Sequence, residues 1–364
     1  MRATWLNLDA QGVATGGVRR DKISLETQML IPPDYTIAMA RGVVGAFGGM
    51  EDATDVQRRF GRALFDLNVD SAGAEEPLNP LDPEGLAEAI PGEAERNTFM
   101  NILAVFELMA RPVPKNLERN TERYGRALGV SPPLLGAVRH LTGEHYALAY
   151  LDLARHSWYV KRTLNDSAHG RLYELLRSEL AYLGLADKGI AAKWRALGDL
   201  PDGTWGREVD NFYEERGFPR PGEAHGIYEL GARHDWIHVL ADYDTDPIGE
   251  LEVFGLISAS MAEPRGFTML AVTLGIYQTG TITHMHGKRV MTATSDALDA
   301  PDAAERFARA MVRGANCPID MMDDVDFFAM ADRPLDQVRA EFKLGAPSQA
   351  GGVTASDEII ETGE

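Results

Sequence analysis

Apolar residues recur every three or four positions along most of this chain, and this spacing narrows the possible folds more than any other feature. In the stretch LAEAIPGEAERNTFMNILAVFELMARP, which begins at Leu86, the apolar positions include Phe99, Leu103 and Phe106. The spacing predicts one amphipathic helix, which ends by Pro112 because proline has no N–H group to continue the hydrogen bonding. Alternating strand patterns are hard to find, so the sequence predicts an all-α fold.

The length of the chain predicts more than one domain. Its 364 residues exceed the roughly 250 to 300 residues that one hydrophobic core usually organises. We predict a poorly structured N-terminus over 1–30, an N-terminal helical domain over 31–165, a second helical domain over 166–344 and a disordered acidic tail over 345–364. A fragment from about Asp166 to Leu344 is therefore expected to fold by itself.

Charge and cysteine content exclude several classes of function. The formal net charge of −19 repels phosphate groups, so no nucleic-acid partner is expected. Cys317 is the single cysteine, which excludes an intramolecular disulfide and a cysteine-based zinc finger and favours a cytoplasmic protein. No window reaches the roughly 20 apolar residues of a transmembrane helix. Any membrane contact is expected to be peripheral, with the apolar helix from Phe267 to Ile282 as its candidate.

The stretch RHDWIHVLADYDTDPIGE collects candidate metal ligands. His234 and His238 are four residues apart, so on a helix both rings lie on one face and can share one ion. Asp235 is rotated by about 100° around the helix from His234, so it reaches the same ion only if the ion lies toward that side of the helix. Glu250 follows a turn containing proline and glycine, beyond which a new helix can point it back toward the histidines.

The residue types leave the metal and the role of Asp235 open. Two imidazoles with one or two carboxylates suit zinc, and the same set also serves non-haem iron. Asp235 would be either a ligand or a base that shuttles protons. An ordinary acidic helix is the remaining alternative, with Asp242, Asp244 and Asp246 forming a solvated loop.

The same stretch resembles a known signature. HDWIHVLADYDTDPIGELEVFGL is similar to the HDxxH, eleven residues, E pattern of the COQ-four family of ubiquinone biosynthesis. LPDGTWGREVDNFYEERGF resembles the family's LPxxTLGxxY segment, with Trp205 in place of the usual leucine, and PLDQVRAEF over 334–342 resembles its closing segment. The likeness covers roughly 170–344. The signature positions are His234, Asp235, His238 and Glu250.

This resemblance implies a fold, a cofactor and an activity. Its members are all-helical, membrane-associated proteins in which the four signature residues bind a divalent metal, usually zinc. The implied substrate is a polyprenylated aromatic lipid, and the implied reaction removes the ring carboxyl and hydroxylates that carbon. The expected location is the inner face of the cell membrane, and other quinone biosynthesis proteins are the expected partners. Whether the chain forms a homo-oligomer stays open. Residues before about 165 have no counterpart in the short members, and the stretch from Leu81 to Tyr159 is loosely similar to tellurite-resistance TerB-like helical domains.

Two other functions stay open at this stage. The HDxxH motif differs by one methylene group from the HExxH motif of zincin-type metallohydrolases. Against that alternative, aspartate is shorter than the general-base glutamate, and only eleven residues separate His238 from Glu250. The third possibility is a non-enzymatic, lipid-binding scaffold in which the metal serves the structure.

Overall fold

The computed structural model describes residues 31–66, 78–130, 184–262, 265–280 and 295–345, together with two short strands. Within these ranges the chain is helical, which confirms the all-α prediction. The one strand pair in the described ranges joins β1 (His284–Met285) to β2 (Lys288–Arg289) in antiparallel register. The α-helices of the described ranges, in chain order, are α1 Thr36–Phe47, α2 Asp55–Asp66, α3 Pro83–Ala89, α4 Glu93–Leu108, α5 Lys115–Leu128, α6 Lys188–Arg195, α7 Trp205–Arg216, α8 Arg233–Ala241, α9 Pro247–Ser260, α10 Arg265–Tyr277, α11 Ala303–Ala315 and α12 Leu335–Glu341.

The single helix predicted from Leu86 onward is two helices, α3 and α4, so that prediction is wrong in its boundaries. Pro91 lies between them, and the preceding Ile90 is extended at φ −120° and ψ 90°, because proline disfavours helical backbone in the residue before it. The side chain of Arg96 holds the corner by donating to the carbonyl oxygen of Ile90 at 2.8 Å. A proline inside a helix-periodic run therefore ended one helix here and allowed the next to begin.

Buried apolar side chains form two clusters that share helices α9 and α11. The first cluster contains α1 to α5 together with α10 and one side of α9 and α11. The second contains α6, α7, α8 and the chain from Cys317 to Leu344, packed on the other side of α9 and α11. The large side chains of the first cluster include Phe47, Phe60, Phe99, Phe106, Phe267 and Phe307. Those of the second include Trp194, Trp205, Phe212, Tyr213, Trp236 and Phe342.

The predicted division near residue 166 lies outside the described residues and stays a prediction, as do the N-terminus over 1–30 and nearly all of the predicted tail. Contacts nevertheless join the two predicted domains directly. The rings of Phe60 and Phe307 lie 5.8 Å apart, and Nη1 of Arg59 donates to the carbonyl oxygen of Ala300 at 3.3 Å. The first cluster therefore depends on helices from both sides of the predicted boundary.

The apolar helix predicted as a membrane contact is part of the protein core. Helix α10 covers most of that segment, and Phe267, Leu270 and Leu274 are at most 1% exposed. Their apolar surface is covered by the first cluster, so these side chains belong to the core and the prediction that this helix contacts a membrane is wrong for them. None of the helices in the described ranges has the length and apolar character needed to span a bilayer.

Helices α9 and α11 approach each other closely at glycine residues, and we expect their packing to be sensitive to any side chain added at these positions. A Cβ atom added at Gly314 would lie 2.0 Å from the carbonyl oxygen of Leu256. Because a backbone oxygen cannot rotate away, Gly314→Ala should lower the free energy of unfolding by about 1–3 kcal/mol, measured by chemical denaturation. In the control Gly61→Ala, the added atom meets only the ring of Phe106 at 3.1 Å. Equal losses in both variants would contradict the backbone clash.

Candidate metal site

Helix α8 places its two histidine rings side by side, as their spacing predicts. The ring centroids of His234 and His238 lie 5.3 Å apart. Each ring turns its Nδ1 atom toward a backbone carbonyl oxygen, that of Gly231 at 2.6 Å for His234 and that of Tyr243 at 3.2 Å for His238. A carbonyl oxygen can only accept, so a neutral ring carries its proton on Nδ1 and presents the lone pair of Nε2 to the site.

Two carboxylates lie against these Nε2 atoms. Oδ1 of Asp235 is 3.2 Å from Nε2 of His234. Oε1 of Glu250 is 3.4 Å from Nε2 of His238, and its Oε2 is 3.8 Å from Nε2 of His234. Glu250 reaches this place because Asp246 caps the start of α9, accepting from the backbone N–H of Gly249 at 2.7 Å, which puts Glu250 in the first turn. The structure thus brings together all four residues singled out in the sequence.

The donor atoms fit a divalent metal ion. Single ligand atoms of His234, Asp235 and His238 lie within 4.8 Å of one another. Two ligands of a tetrahedral zinc ion, each about 2.0–2.1 Å from the metal, are about 3.3 Å apart. This separation is close to the 3.2 Å between His234 and Asp235 and the 3.4 Å between His238 and Glu250. Nε2 of His238 is buried and makes no hydrogen bond with any described residue. A buried lone pair facing a carboxylate is unfavourable without a cation or a proton between them, so the cluster could hold a metal ion.

Aromatic rings enclose the two imidazoles. The ring of Phe212 stacks on His238 with centroids 5.8 Å apart, and the ring of Phe254 stacks on His234 at 5.2 Å. The side chain of His238 is 0% exposed, whereas those of His234, Asp235 and Glu250 are 12%, 11% and 10% exposed. His238 is therefore the fully buried member of the cluster, and the other three side chains keep a small solvent-exposed surface.

Tyr213 of α7 contacts the cluster directly, although the sequence did not single it out. Its hydroxyl donates to Oδ2 of Asp235, and the side chain is buried in the second cluster. Burial, and then the negative charge of Asp235, raise the pKa of Tyr213 well above its ordinary value, so the phenol stays a donor. The available signal was its place one turn after Val209 in the apolar stripe of α7, because a buried tyrosine usually needs a partner for its hydroxyl.

Trp205, which stands where the resembled family has leucine, supports the site helix. The side chain is fully buried, and its Nε1 donates to the carbonyl oxygen of Trp236 at 3.0 Å. The two indole rings pack edge to face with centroids 5.3 Å apart. This hydrogen bond from α7 to the backbone of α8 thus holds α8 in place between His234 and His238.

Comparisons with family models, with curated protein sequences and with solved structures give no match to this chain.

The ionisation of the cluster predicts how metal binding depends on pH. Burial alone lowers the pKa of His234, but the carboxylates of Asp235 and Glu250 outweigh it and raise that pKa above the usual 6.5. Burial alone raises the pKa of Glu250, but the neighbouring His238 and His234 outweigh it and lower that pKa, so Glu250 stays ionised at neutral pH. Protons would therefore compete with a metal ion at His234 as the pH falls through the raised value, because a metal ion binds only the neutral ring.

We expect the Zn²⁺ affinity of the purified chain to be at least about tenfold weaker at pH 5.5 than at pH 8, since one proton competes below the pKa. Isothermal titration calorimetry at the two pH values measures it. His225→Asn is a suitable control, because His225 is exposed and its φ of 66° is tolerated by asparagine. An affinity that stays constant over this range would contradict the role of His234.

Proposed function

We propose that this chain binds one divalent metal ion through His234, Asp235, His238 and Glu250 and uses it in chemistry on an aromatic lipid. The observation that carries the proposal is the convergence of two imidazole Nε2 atoms and two carboxylates in one partly open cluster. Zinc is the first candidate metal because the donor distances suit a tetrahedral ion, and iron is the second because two histidines and a carboxylate also suit it.

The exposure of the cluster supports a reactive role over a purely structural one. Structural zinc sites are closed, whereas catalytic sites keep one position open to water or substrate. Here three of the four side chains keep about a tenth of their surface exposed, while His238 has none. A substrate oxygen would enter from the side of His234, Asp235 and Glu250.

The substrate class comes from the resemblance to the COQ-four family, and the surroundings of the cluster are compatible with it. Phe254 and Phe212 flank the histidines, and Phe218, which is 42% exposed, packs against Phe212 at 6.1 Å. An apolar, aromatic surface therefore continues from the cluster to solvent, and a polyprenylated aromatic acid has the matching chemistry. The proposal extends to peripheral attachment at the inner face of the cell membrane and to other quinone biosynthesis proteins as partners.

A bound divalent metal would supply Lewis-acid polarisation of a ring carboxylate or phenolic oxygen, or, in the case of iron, activation of oxygen. The chain's own residues do the rest. His234 and His238 keep their Nε2 lone pairs aimed into the cluster through their backbone hydrogen bonds. Glu250, ionised at neutral pH, offsets the positive charge, and the aromatic rings exclude water from the closed side of the cluster.

The test is turnover of a carboxylated polyprenyl phenol by the purified full chain loaded with Zn²⁺ or Fe²⁺, with oxygen present as the oxidant. We expect loss of carbon dioxide and a hydroxylated ring in mass spectrometry, and no product from His234→Ala. Cleavage of peptides without ring chemistry would instead identify a zincin-like metallohydrolase. Bound metal and co-purified lipid without any turnover would identify a non-enzymatic scaffold.

A further inference from the structure

Within the described residues, Tyr213 is the one side chain whose hydrogen bond reaches a carboxylate oxygen of the cluster from outside it. Asp235 has two oxygens with different partners. Oδ2 accepts from the hydroxyl of Tyr213, whereas Oδ1 lies 3.2 Å from Nε2 of His234. The hydroxyl of Tyr213 therefore holds one oxygen of the carboxylate, and the other oxygen faces Nε2 of His234.

The place of Asp235 on α8 explains why such a bond is needed. The residue follows His234 directly, so its side chain leaves the helix about 100° away from the face that carries the two histidines. Without a fixed partner, the carboxylate could rotate about its side-chain bonds away from Nε2 of His234 or offer both oxygens to an ion. The hydroxyl of Tyr213 occupies Oδ2 and opposes both motions.

Tyr213 is itself held rigidly. Its ring is 2% exposed and packs against Trp194 at 5.7 Å and Phe212 at 5.9 Å. Phe212 in turn stacks on His238. Helix α7 thus contacts both ends of the ligand set, through a hydrogen bond at Asp235 and a ring at His238.

We propose that Tyr213 is a positioning residue that fixes Asp235 as a single-oxygen ligand, with Oδ1 directed at the metal and Oδ2 reserved for the phenol. The inference rests on the metal site of the proposed function, but not on the substrate. Outer hydrogen-bond partners of metal ligands typically contribute about 10- to 100-fold to metal affinity, and this is the effect expected here.

The experiment is a competition titration of the full chain with Zn²⁺, together with the visible absorption spectrum of the Co²⁺-loaded protein. Tyr213→Phe should bind Zn²⁺ about 10- to 100-fold more weakly than the unaltered chain and show a changed Co²⁺ spectrum. The matched control is Tyr124→Phe, which removes a buried phenol that donates to the carbonyl oxygen of Leu81 in the first cluster. It should leave the affinity and the spectrum unchanged.

A double-mutant cycle separates positioning from general destabilisation. If Tyr213 acts through Asp235, the variant with both Tyr213→Phe and Asp235→Asn should bind no more weakly than Asp235→Asn alone, because coupled effects do not add. Unchanged affinity and spectrum in a folded Tyr213→Phe protein would overturn the proposal, as would additive losses. Full affinity in Asp235→Asn, whose phenol is intact, would overturn it even if Tyr213→Phe did not fold.

These outcomes are distinct from failure of the proposed function. Absence of metal binding by the unaltered chain would remove the metal site altogether, and with it the role of Tyr213. An affinity that is unchanged in Tyr213→Phe but lost in His234→Ala would keep the site and reject only the positioning role.

Discussion

Replacement of His234 by alanine is expected to remove the metal from the purified protein. The ring supplies an Nε2 atom that lies 3.2 Å from Asp235 and 3.8 Å from Glu250, so its loss takes a donor from the middle of the cluster. A change in an outer hydrogen-bond partner of a ligand costs about 10- to 100-fold in affinity, and we expect the loss of a ligand to exceed about 100-fold. Elemental analysis should show one metal ion per unaltered chain and a small fraction of that in the variant.

The control for this experiment is a variant that also lacks one histidine. His225→Asn removes an exposed histidine outside the cluster and should retain the full metal content. The circular dichroism spectrum of His234→Ala should stay helical, because the side chain is partly exposed and α8 is held by Trp205. Full metal occupancy in folded His234→Ala would show that the ion binds elsewhere.

Removal of the first half of the chain is expected to make the remainder aggregate. A fragment over 166–344 keeps all four cluster residues but loses α1 to α5, which cover Phe267, Leu270, Leu274, Phe307 and Met311 in the first cluster. Exposure of a large apolar side chain costs about 1.5–3 kcal/mol, so five of them cost on the order of 10 kcal/mol, which is comparable to the whole stability of a domain. The measurement is solubility, circular dichroism and metal content of the fragment beside the full chain.

Co-expression provides the control. Residues 1–165 supplied as a separate chain should restore solubility, because they return the missing half of the first cluster, including the contact between Phe60 and Phe307. A soluble, helical and metal-binding fragment on its own would instead support the division near residue 166 that the sequence predicts.

The sequence determined the helical class and the members of the histidine and carboxylate cluster. Both depend on short-range geometry, because apolar residues at helical spacing predict helices and the four-residue spacing of His234 and His238 places both rings on one face. The capped turn before Glu250 could also be recognised locally, from Asp246 and the proline that follows it. These features were predictable because each depends on only a few neighbouring residues.

Tertiary packing decided what the sequence could not. The apolar stripe of α10 has the same pattern whether it faces lipid or a protein core, and only the presence of α1 to α5 places it in the first cluster. Tyr213 and Asp235 are 22 residues apart in sequence, and no local pattern pairs them. Their hydrogen bond exists because α7 and α8 pack side by side, and which side chains meet between two helices is set by the packing of the whole core.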